Sequence, residues 1–268
     1  MDNGLEAKRI YRQLRPLLVF QGDKDAVREL TDLVCMITSV PAGQQILRGV
    51  IAQGKPVPLS FSSRPGLTGR FHVKDNSIEI PHVATNVLEM SKKARMRSKI
   101  LMTRILAHEF QHCADNLKTR WLDYHAMDVD TAVLADVLCE MNAYMNEDQV
   151  AGELRSQQGV LDKIIVRGIE LIECVRPKSP QERKEVMRLA LSGKIPRIKG
   201  YINKTRKRVS QRPFRKADFT AKAVYRANVE AYLQEMQIDM SYEEAIRLVR
   251  ESIKLLPAAR LKSSDYSQ

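Results

Sequence analysis

Residues 107–113 read Ala-His-Glu-Phe-Gln-His-Cys and contain HExxH, with His108, Glu109 and His112. On a helix, side chains four apart share a face, so the two imidazoles can chelate one ion. Glu109 then projects about 100° around the helix from His108, where it can reach a water on that ion without ligating it. Two imidazoles suit zinc, which takes nitrogen, sulfur and carboxylate donors in a tetrahedral shell.

The elements that must position these residues are legible as helices. Leu101, Ile105, His108 and His112 follow spacings of 4, 3 and 4, with Leu106, Phe110, Cys113 and Leu117 as a second stripe, which predicts a helix over 91–117. A further helix is predicted over 128–157, capped by Asp128 or Asp130. It repeats the spacing in Val133, Val137, Glu140 and Tyr144, flanked by Leu134, Leu138, Met141 and Met145. Glu140 is therefore an acid within an apolar stripe. Buried alone, its charge would cost several kcal/mol; an ion held by His108 and His112 would answer it. Ala143, one turn on, permits close approach of the two helices. Asp136, Glu147, Asp115 and His125 remain alternatives for the third ligand. Cys113 points about 100° away from the face of His112, so it and Cys139 are expected to be small core residues.

HExxH at 108–112, followed 28 residues later by Glu140 in Glu-Met-Asn-Ala143, resembles the gluzincin branch of the zinc metallopeptidases. The pattern is most similar to small bacterial metallopeptidases with an ExxA helix, and covers about residues 57–155. The resemblance implies one Zn2+ per chain on His108, His112 and Glu140, with Glu109 as catalytic acid/base activating a zinc-bound water. It also implies a protein or peptide substrate paired to an edge strand, either Gly69–Val73 (Gly69, Arg70, Phe71, His72, Val73) or Ser77–Ile80. Tyr124, His125 and Tyr144 are candidates for stabilising the transition state. Tyr144 stands where such helices carry a second carboxylate, which leaves the orientation of the histidines unassigned. A translocated bacterial effector is a further implication.

The fold class expected is mainly α with a small antiparallel sheet, an α+β zincin-like core. Helices are expected over the first eighteen residues (interrupted near Pro16), from Asp23 to before Pro41, and over 42–53. Extended pieces follow at 56–61, 69–73 and 77–80, the last two as a hairpin around Lys74-Asp75-Asn76. Beyond 157, helices are expected over 160–175, from Ser179 onward, and over 217–237 and 241–256. A boundary near Pro177 separates a 1–177 unit from a 178–268 region that need not be a separate domain.

Composition bounds the rest. The chain has 268 residues, a net charge of +12 and 44% hydrophobic residues, enough for a sizeable core. Gly (12) and Pro (11) are too scarce for a collagenous or low-complexity chain. No apolar run approaches the ~20 residues of a bilayer span. The charged N-terminal stretch lacks the apolar core of a cleaved secretory signal. Four scattered cysteines fit a reducing compartment, so a cytoplasmic protein is expected, with export into a host cell by a signal-less route as an extension. Ten of the basic residues lie in 194–216 without an acid. That segment suits an anionic partner: an acidic protein, a membrane surface or nucleic acid. The alternative function is thus a non-catalytic basic helical binding protein with an accidental HExxH.

Overall fold

The computed structural model describes residues 3–62, 68–81, 91–115, 128–157, 179–210 and 219–256. The chain divides into two compact units, residues 1–120 with 142–176 and residues 121–141 with 177–268.

In the first unit, α1 (Asn3–Leu14) ends in a 3-10 turn at Arg15–Leu17 and gives way to strand β1 (Leu18–Phe20). The expected helix through Leu18 is therefore cut short. Pro16 has no N–H to donate and disfavours helical geometry in the residue before it. Helix α2 (Lys24–Thr38) starts on Asp23, whose side chain accepts from the Ala26 N–H at 2.8 Å. Helix α3 (Pro41–Gln53) has Pro at its first position and ends on Gly54 in the left-handed conformation (φ 61°).

Strands β2 (Val57–Ser62), β3 (Arg70–His72) and β4 (Ser77–Pro81) complete a four-stranded sheet of order β1-β2-β4-β3. The sheet is mixed, which corrects the antiparallel expectation. β1 pairs parallel with β2, and β2 parallel with β4; only β3 and β4 run antiparallel. The expected hairpin is present, but it inserts β4 between β2 and β3, so Ser77–Ile80 is interior and β3 is an edge. β1 reaches β2 through α2 and α3, a crossover that makes parallel pairing possible. Gly69 precedes β3, and Val73 begins the turn after it.

Helix α4 (Lys92–Asp115) is buried at every position from Met102 to Gln111. It is enclosed rather than amphipathic, and it packs on α2, α3, β3 and β4. Gly49 of α3 permits one of these contacts, since a Cβ there would lie 2.7 Å from Ala114 Cβ. Helix α5 (Val129–Gln157) opens on Asp128, which accepts from the Thr131 N–H at 2.8 Å. Its later residues Val150, Ala151 and Leu154 join the core of the first unit.

The second unit contains α6 (Pro180–Leu191), α7 (Pro196–Ser210), α8 (Phe219–Glu235) and α9 (Tyr242–Lys254). α6 begins with a full capping box between Ser179 and Glu182. α7, unexpected as an element, holds most of the basic segment. It buries Ile198, Ile202, Thr205 and Val209 and exposes Lys199, Lys204, Lys207 and Arg208. The helix expected over 160–175 and the rest of the basic segment (211–216) lie outside the described residues. Among the described residues, no helix is long and apolar enough to cross a membrane, and Cys35, Cys113 and Cys139 are free thiols.

Candidate metal centre

The i,i+4 spacing on α4 brings His108 and His112 together, with their Nε2 atoms 3.0 Å apart and their rings edge-on at 81°. Glu140, carried on α5, completes a group of three potential ligands. Their donor atoms all lie within 4.8 Å of one another. In a tetrahedral shell with bonds of about 2.0–2.1 Å, donors are separated by about 3.3 Å. The two nitrogens already approach that spacing. This His108–His112–Glu140 group could hold a metal ion. His108 is buried, while His112 and Glu140 keep partial exposure.

The orientation of His108 is fixed from behind. Its Nδ1 lies 2.9 Å from Glu147 Oε2. A carboxylate there favours the proton on Nδ1 and leaves the Nε2 lone pair aimed at His112. The other Glu147 oxygen, Oε1, takes the Arg104 guanidinium at 3.0 Å from Nε and 2.9 Å from Nη2. Arg104 Nη2 also reaches Asp148 Oδ1 at 2.7 Å. All four residues are buried. Burial pushes the Glu147 carboxyl pKa up, but His108 and Arg104 pull it down by more, leaving it below the ordinary carboxylate value. Tyr144 packs its ring 4.7 Å from that of His108 and is 1% exposed, so the imidazole is held from one side by packing and from another by charge.

A polar network lies between α4 and the later part of α5. Asp115 accepts from Gln111 Nε2 at 2.9 Å and from Asn142 Nδ2 at 3.1 Å, and Asn146 Nδ2 donates to Gln111 Oε1 at 3.1 Å. These directional contacts fix the register of the two helices, which undirected apolar packing alone would leave looser.

The other residues raised as ligands have different surroundings. Asp115 belongs to the amide network. Asp136 accepts from Thr205 and pairs with Arg208 at 2.7 Å in the second unit. Glu147 supports His108. Cys113 is buried and its thiol is pushed up to about 12, by burial first and Asp115 second, so it stays protonated. Tyr124 and His125 lie outside the described residues.

Glu109 is 5% exposed and faces the start of the edge strand. A Cβ built on Gly69 would lie 2.7 Å from both Cγ and Oε1 of Glu109, and 2.8 Å from Ile105 Cγ2. Only a residue without a side chain lets the backbone approach the carboxylate so closely. Sequence reasoning did not foresee this contact, nor the role of Glu147. For Glu147 a signal existed: it lies seven residues, two helical turns, beyond Glu140 and so shares its face.

Compared with known protein families, curated proteins and solved structures, the chain gives no match.

Proposed function

We propose that the chain is a zinc-dependent endopeptidase with a zincin-type core. One ion per chain is held by His108, His112 and Glu140, and Glu109 serves as general base and then general acid. The observation that carries this reading is the paired Nε2 atoms at 3.0 Å, one backed by Glu147 on the opposite ring nitrogen. Two imidazoles and a carboxylate are a donor set that zinc takes in hydrolytic sites.

Zinc held there supplies Lewis acidity to a water and to the substrate carbonyl. The chain's own residues do the remainder. Glu109 accepts the proton that the water loses as its oxygen adds to the scissile carbon. It returns that proton to the departing amine as the C–N bond breaks. Enclosure of Glu109 against Gly69 limits the positions its carboxylate can adopt, the orientation on which such transfers depend. Glu147 and Tyr144 hold the His108 ring. Reduced, dispersed thiols fit action in a reducing compartment, either of the producing cell or of a cell into which the protein is exported.

The test is zinc content, measured on protein purified without chelators, together with cleavage of an unfolded protein substrate. The wild type and Glu109→Gln are expected to carry about one zinc per chain, with cleavage by the wild type alone. His108→Ala and His112→Ala are expected to lose the metal. A metal-free wild type, or a Glu109→Gln variant that cleaves at the wild-type rate, overturns the proposal; the first result leaves the basic binding protein as the surviving reading.

A further inference from the structure

Resting on that reading, the inference concerns what the enzyme cuts. Among the described residues, β3 is an edge strand, and none of them pairs with its outer side. Edges of this kind accept an added strand from an extended peptide, main chain supplying affinity and alternate side chains supplying choice. Gly69, the residue before β3, is the one whose backbone meets Glu109. The edge therefore begins within one residue of the proposed general base.

The charge along that edge has a definite sign. Arg70, the first residue of β3, is exposed. Its partner in register on β4 is Glu79. That carboxylate lies 3.6 Å from His72 Nε2, and Arg70 makes no ion pair among the described residues. A strand added on the open side would set one side chain directly beside Arg70 on the same sheet face, with Cβ atoms about 4.5–5.5 Å apart.

We propose that the substrate is an extended acidic peptide that adds to the outer edge of β3, with an Asp or Glu opposite Arg70 and within two residues of the scissile bond. Consecutive Cα atoms are about 3.8 Å apart, so the residue facing Arg70 cannot lie far from the carbonyl that faces Glu109. An edge arginine also discourages strand-to-strand aggregation, a role that needs no substrate. That role predicts no preference among peptide charges, which separates the two.

The experiment uses the full chain loaded with zinc, as Glu109→Gln for binding and as wild type for cleavage. The probes are three extended peptides identical except for Asp, Gln or Lys at one position, moved in turn along the sequence. Fluorescence anisotropy should show the Asp peptide binding about 2- to 5-fold more tightly than Gln at one position, the range of an exposed cross-strand ion pair. The gap should narrow at high salt. Arg70→Glu is a surface change that should invert the order, so that the Lys peptide binds best. Equal affinities, no measurable binding, or an order unmoved by Arg70→Glu overturns the inference. If the charge order holds but no peptide is cleaved by the wild type, the edge selects acidic peptides as ligands rather than substrates, and the peptidase reading fails. If peptides are cleaved without regard to charge, the reverse is true.

Discussion

Gly69→Ala tests the packing of the strand start against Glu109, and its stability readout requires no known substrate. Gly69 shows no left-handed φ, so alanine can adopt its backbone; the consequence is one of space. The new Cβ would meet Cγ and Oε1 of Glu109 at 2.7 Å and Ile105 Cγ2 at 2.8 Å. Ordinary carbon contacts lie at about 3.5–4 Å, so Glu109 or the strand must yield by about 1 Å. Overpacking of this kind costs about 1–3 kcal/mol, offset by about 0.4–1 kcal/mol from a stiffer unfolded chain. A net loss of about 1 kcal/mol is expected in urea denaturation. Glu109→Ala removes two of the three close atoms, so Gly69→Ala should cost less in that background. The coupling expected from a double-mutant cycle is about 1 kcal/mol. On the proposed reading, zinc content should not change, since no ligand moves, while displacement of the proposed general base by about 1 Å should lower kcat by about 10²-fold. Additivity within about 0.3–0.5 kcal/mol, or stabilisation by alanine in both backgrounds, would show that Gly69 and Glu109 do not touch.

Two further outcomes follow from the buried charges. If the proposed zinc site is right, Glu147→Gln should weaken zinc binding by about 10- to 100-fold in calorimetric titration; Arg104→Met should destabilise the fold by about 3–5 kcal/mol, because Glu147 and Asp148 would lose a buried cation. Cys113 sets an alkaline limit. Its thiol ionises at about 12 in the fold against an ordinary 9.0, so its contribution is complete below pH 9.0 and is lost as pH rises towards 12. The loss is about 1.4 kcal/mol per pH unit, and Cys113→Ala should flatten that slope in alkaline urea titrations.

The helices bearing the site are readable because their stripes repeat over many turns, and Glu140 stands out as an acid among Val133, Val137 and Tyr144. From the sequence, Glu147 is only one more possible ligand. What assigns it to His108 is Arg104, forty-three residues earlier in the chain, and a pairing made by tertiary packing leaves no local mark. β1 leaves no strand signal, because three residues cannot establish a period of two and Leu17 and Leu18 continue the helical spacing before them. The parallel pairings depend on where α2, α3 and the hairpin carry the chain, which strand patterns do not encode. α7 was different. Ile198, Ile202, Thr205 and Val209 repeat at 4, 3 and 4, but the cations interleaved with them mask the stripe.

Of the three potential ligands, only His108 is enclosed, and the apolar core beneath the sheet is assembled from other residues. An ion can therefore come and go without the surrounding architecture opening. A zinc finger stays shapeless until metal arrives; on the proposed reading this chain would reach its shape first and be charged afterwards. Were the proposed activity real, scarcity of the ion in a cell would silence it while leaving the protein's lifetime untouched.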